Sequence, residues 1–177
     1  MKNKVLLILF SFCISICFGQ QASGSTSAEA RLSKQDSALG NLPLETSHGT
    51  LTTLYSKGYE KRAKIIQSLV EGCAGFYEHL FPDTRFDLLL FVLDEKDWAK
   101  LPFKTPYGMP NSNVFRSGAL GKPKLIMGAN KQAVAKLFGQ TDDSPNTILS
   151  NMDSVALHEL GHIFLRDNKK LRWRKSG

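Results

Sequence analysis

Residues 85–94 read Arg-Phe-Asp-Leu-Leu-Leu-Phe-Val-Leu-Asp, a short and nearly continuous apolar run. Successive side chains of a strand point to opposite faces, so a strand that is apolar at almost every position must be covered on both. The run therefore reads as a central strand, bounded by Pro82-Asp83 before it and a charged stretch after it. The chain must then supply helices to flank it. Apolar residues upstream fall at Leu51, Leu54, Tyr55, Ala63, Ile66, Leu69, Val70, Cys73, Phe76, Tyr77 and Leu80. That spacing of three and four predicts one long amphipathic helix over 50–81, stopped by Pro82. Cys73 lies on its apolar face and reads as a small buried hydrophobe, not a nucleophile. His79 lies off the stripe and is expected to be solvated.

Downstream, 95–101 is expected to be a short helix carrying Trp98 into the core. The prolines and glycine of 103–113 predict a loop, with Tyr107 and Gly108-Met109-Pro110 as candidates for a cleft rim. Residues 114–119 and 124–128 read as a hairpin around Gly121-Lys-Pro123, and 131–138 as a short helix ending at Gly139. Asp143-Ser144 before Pro145 suits the start of a last helix running to about Asn168. This order of elements predicts an α+β domain with a small mixed sheet.

The ends read differently. Met1-Lys-Asn-Lys4 followed by an apolar stretch of 14 residues, with Cys17 and Gly19 at −3 and −1 of a cut before Gln20, has the pattern of a secretory signal peptide over 1–19. Neither Cys13 nor Cys17 follows a small residue, as lipidation would need. Export, to the exterior or a periplasm, is the expectation. Residues 20–47, rich in Ser, Ala, Gly and Gln, are expected to be a flexible leader to a domain over 48–177. Without the signal only Cys73 remains, so no internal disulfide can form and the core must hold the fold. No apolar run beyond the N-terminus reaches the roughly 18 residues of a membrane span, which excludes a polytopic membrane protein.

The 177 residues carry a formal charge of +7, but the excess is local. Lys169, Lys170, Arg172, Arg174 and Lys175 stand in a tail without an acid, and residues 20–168 balance at 16 basic against 16 acidic. A nucleic-acid binder spreads its basic residues over a face, so none is expected as a partner. The tail reads as a solvated helix end, with an anionic surface as the sharper alternative.

The chemistry is concentrated in His158-Glu159-Leu160-Gly161-His162, within the last helix. Two histidines four apart on a helix differ by about 40° in azimuth, so both imidazoles can reach one zinc ion at about 2.0–2.1 Å. Glu159 stands beside them, where it can take a proton from an activated water and pass it to a leaving amine. The flanks Val155, Ala156, Leu157, Leu160, Ile163 and Phe164 are apolar, as a helix beneath a cleft requires. A mid-helix Gly161 costs about 1 kcal/mol relative to Ala and marks close packing.

Residues 155–164 resemble the zinc-binding helix of the zincin metallopeptidases, and the order from about residue 50 resembles the N-terminal lobe of the gluzincin type. The resemblance implies an α+β zincin-like lobe, Zn2+ on His158 and His162, and Glu159 as general base. It also implies an edge strand, from 114–119 or Lys124–Gly128, that pairs with an extended peptide or protein substrate. A catalytic zinc takes three protein ligands. Leu165 and Asn168 stand where metzincin-type chains have Gly and a third ligand, so that subclass is rejected. The gluzincin ligand is a downstream Glu, and the 15 residues after His162 contain none. Asp167 lies about 180° round the helix from His158. His48, Asp94, Asp97 and Asp142-Asp143 remain as upstream donors; the alternative expectation is a domain truncated at its C-terminus. Two functions follow: an exported zinc metallopeptidase, or a non-catalytic zincin-like module that binds a peptide or a surface.

Overall fold

The computed structural model describes residues 25–102, 104–113, 119–130, 132, 133, 136, 153 and 155–167. The chain divides into two compact units, Met1–Arg31 and Leu32–Gly177. In the first, only the opening residues of helix α1 (Ser25–Gly40) are described. The second unit holds the rest: β1 (Glu45–His48), β2 (Thr52–Tyr55), α2 (Glu60–Leu80), β3 (Leu89–Leu93), α3 (Glu95–Trp98), β4 (Asn111–Asn113), β5 (Lys124–Gly128) and α4 (Val155–Asp167). This is an α+β fold with one small mixed sheet, as its element order predicts.

The sheet runs β1-β2-β3-β5-β4, parallel at β2/β3 and β3/β5 and antiparallel at both margins. The apolar run sits at its centre, and Leu90 to Leu93 are fully buried. Alternation then sorts the core. Leu90 and Val92 of β3, with Leu125 and Met127 of β5, face Ile66 and Val70 of α2 and Ala156, Leu160 and Ile163 of α4. Phe91, Leu93 and Ile126 face the other way, onto Leu39, Trp98 and Leu101.

The long helix expected over 50–81 is half right. Glu60–Leu80 is helical, with Ala63, Ile66, Gln67, Val70 and Ala74 on its buried face, and Cys73 is partly buried against the same core. His79 is exposed. Residues 52–55 instead form β2. Leu51, Thr53 and Tyr55 are buried in alternation, and Gly58, at φ 86°, turns the chain between strand and helix. Leu51, Leu54 and Tyr55 satisfy helical spacing by sequence alone; β-branched Thr52 and Thr53 favour a strand, and parallel pairing with β3 decides for it.

Two other expectations change. The leader over 20–47 contains most of β1 and α1, whose residues Gln35, Asp36 and Leu39 are buried. Its composition misleads because it is fastened by polar groups. Lys124 Nζ, on β5, donates to Asp36 Oδ2 at 2.6 Å, with side-chain exposures of 0% and 1%. Of the loop expected over 103–113, residues 111–113 instead form β4, which pairs antiparallel with β5. Asn-Ser-Asn carries little β propensity; pairing with β5 makes it a strand. The short helix Glu95–Trp98 is present, capped by Asp94, whose Oδ1 accepts from the Asp97 N–H at 2.8 Å. The signal segment, 114–118, most of 131–138, the start of the last helix near Asp143 and the basic tail lie outside the described residues. Among the described residues no helix is long and apolar enough to cross a membrane.

Candidate metal centre

Helix α4 is aimed by its apolar stripe. Ala156, Leu160, Ile163 and Phe164 are buried, at spacings of four, seven and eight from the first. Phe164 stacks on Tyr77 with centroids 5.1 Å apart and meets Phe81 at 4.7 Å. Tyr77 Oη donates to the Leu157 carbonyl at 3.2 Å, and a Cβ at Gly161 would stand 3.0 Å from that same oxygen. Glycine at 161 thus lets α4 lie close against α2. Just upstream of α4, both carboxylate oxygens of Asp153 accept from Arg62 Nη2, at 2.9 and 2.7 Å.

With that stripe turned to the core, His158, Glu159 and His162 share a half-buried side of the helix. The two Nε2 atoms stand 3.0 Å apart, with ring planes at 88°. Two nitrogens bound tetrahedrally to one zinc would be about 3.3 Å apart, so the pair needs only a few tenths of an ångström to fit. A Glu159 carboxylate oxygen lies within 4.8 Å of the imidazole donors, and the three form a group that can hold a metal ion. The donor chemistry, two imidazoles and a carboxylate, suits a borderline divalent cation.

The sequence reading missed the partner of Glu159. Oε2 accepts from the Ser112 N–H at 3.0 Å and from Ser112 Oγ–H at 2.5 Å. Ser112 pairs in register with Leu125, whose side chain faces the α4 side of the sheet, so the pleat turns Ser112 towards the motif. Nothing in Asn-Ser-Asn announces this in sequence, because it depends on which strand becomes the neighbour of β5.

The other candidates fall elsewhere. His48 is exposed on β1. Asp94 caps α3, and Asp97 accepts from Ser56 Oγ at 2.6 Å and Lys100 Nζ at 2.7 Å. Burial pushes the Asp97 carboxyl up, but the hydrogen bonds from Lys100 and Ser56, with the Lys100 charge, outweigh it and hold it below the usual carboxylate range. Among the described residues neither these aspartates nor His48 joins the histidines. Asp142-Asp143 lies outside the described residues. Burial raises the Cys73 thiol pKa, which suits a packing role.

Lys124–Gly128 is interior to the sheet, so the edge nearest the motif is β4, not β5. Tyr107 is no rim residue of this site: it packs on Trp98 against the opposite face of the sheet. Its hydroxyl donates to the Leu93 carbonyl at 3.0 Å and accepts from the Asn130 N–H at 2.7 Å, and burial raises its pKa strongly.

Comparison with family models, curated proteins and solved structures finds no match for this chain. The functional reading therefore rests on the site itself.

Proposed function

We propose that the protein is an exported zinc-dependent metallopeptidase of the zincin type, with His158 and His162 as metal ligands and Glu159 as general base. The observation that carries this is the convergence of two imidazole Nε2 atoms, 3.0 Å apart, beside a carboxylate on one helix face. When bound, zinc polarises a substrate carbonyl and brings the pKa of water towards about 7. The chain's own part is proton handling. Glu159 accepts the proton of the attacking water and returns it to the departing amine, so hydrolysis needs no covalent intermediate. The apolar residues of α4 hold both imidazoles and the carboxylate in one orientation, which shortens the search for a reactive geometry. The substrate class is peptide or protein, and the N-terminal signal pattern supports action outside the cytoplasm.

A second reading, a non-catalytic zincin-like binding module, is favoured by one observation. Among the described residues the donor group stops at three members, one of them the carboxylate needed as base. Metal analysis and peptide hydrolysis on the purified protein separate the two. The peptidase reading expects about one zinc per chain, lost in His162→Ala, and cleavage of a mixed peptide pool. Glu159→Gln is expected to keep the metal and lose the cleavage. Zinc without cleavage in the parent protein supports the binding module; cleavage that survives Glu159→Gln refutes the mechanism.

A further inference from the structure

We propose that Ser112 is a positioning residue that keeps the Glu159 carboxylate off the metal position and so in the role of base. This rests on the metal-site reading above. The carboxylate lies within 4.8 Å of both imidazole donors, close enough for a small side-chain movement to make it a ligand. A dication between the histidines attracts a free carboxylate, and a carboxylate bound to zinc closes to about 2.0–2.2 Å. Two charge-assisted hydrogen bonds oppose that movement, and both fall on one oxygen: Ser112 N–H and Oγ–H donate to Oε2 at 3.0 and 2.5 Å. Among the described residues Oε1 accepts no hydrogen bond, which leaves it available for a proton.

The restraint works only if Ser112 cannot follow the carboxylate. Strand β4 is fastened from its other face. Asn113 Nδ2 donates to Gln35 Oε1 at 3.0 Å and to Asp36 Oδ1 at 3.4 Å, and Asp36 is held by Lys124. Adjacent residues of one short strand are therefore tied to opposite layers, Ser112 to α4 and Asn113 to α1. With β4 anchored in this way, Glu159 loses its hydrogen bonds if it moves to the metal. A base that became a ligand would no longer be free to accept a proton.

The test uses Co2+ as the probe, because its visible absorption reports the number and kind of its ligands. Ser112→Thr keeps the hydroxyl and Ser112→Val replaces it with a methyl group of the same shape; both suit a strand, so the pair isolates the hydrogen bond. Ser112→Val is expected to shift the Co2+ spectrum and to tighten Co2+ binding about tenfold, as the carboxylate, held by the N–H alone, enters coordination. Ser112→Thr is expected to match the parent protein. In a Glu159→Gln background, Ser112→Val is expected to change neither quantity. Where peptide hydrolysis is measurable, Ser112→Val lowers kcat and leaves KM nearly unchanged. A Ser112→Val spectrum and affinity equal to the parent's overturn this proposal and leave the metal site standing. A parent protein that binds no Co2+ overturns both.

Discussion

Lys124→Met is expected to destabilise the protein by about 3–5 kcal/mol, the range for removing one member of a buried ion pair. Lys124 and Asp36 expose 0% and 1% of their side chains, so neither charge has recourse to water. With the ammonium gone, Asp36 keeps among the described residues only the Asn113 amide at 3.4 Å and the Leu120 N–H at 3.5 Å, both long for a carboxylate acceptor. The loss amounts to a large share of the stability of a typical domain. At a urea slope of about 2 kcal/mol per molar, the unfolding midpoint falls by about 2 M. The charge argument makes a second demand. The double variant Asp36→Leu with Lys124→Met, which removes both charges and fills their volume, is expected to recover most of the loss or exceed the parent. Equilibrium urea unfolding of the parent, both single variants and the double variant gives the coupling directly. A Lys124→Met cost under about 1 kcal/mol, the range of an exposed pair, would mean that burial does not set the worth of this ion pair.

Arg62→Ala leaves Asp153 buried without the guanidinium that anchors the approach to α4, and an unfolding loss of about 3 kcal/mol is expected by chemical denaturation. Gly161→Ala is expected not to yield the roughly 1 kcal/mol that Ala normally gains inside a helix, because its methyl meets Tyr77 Oη at 3.0 Å. Adding Tyr77→Phe is expected to recover part of that gain in a thermal melt. The folded Asp97 carboxyl lies below its ordinary value, so its contribution is full above the unfolded pKa and is lost as pH falls through the folded one. Ser56→Ala, which removes one of its donors, is expected to raise the midpoint of acid unfolding and to leave the pH dependence between pH 6 and 8 unchanged.

Some of this molecule was legible in its sequence because the signal was local. The run Leu88 to Leu93 has to be a central strand wherever the other elements lie, and Ala63, Ile66 and Val70 mark a helix face by spacing alone. His158 and His162 are brought together by the pitch of the helix that carries them, so four residues of spacing suffice to predict the convergence of their rings. Other features were hidden because their cause is distant in the chain. Residues 51–55 fit helical and strand periods at once, and the parallel pairing of β2 with β3 chose between them. Helix α1 lacks an apolar composition, and part of its hold on the sheet is an ion pair between residues 88 apart. Ser112 became the partner of Glu159 only because β4 lies beside β5, a pairing that Asn-Ser-Asn does not announce. Local spacing thus marks the residues that can bear the chemistry. What restrains them comes from packing, because the pitch of one helix is set within a few residues, whereas the neighbours of a strand are set by the whole sheet.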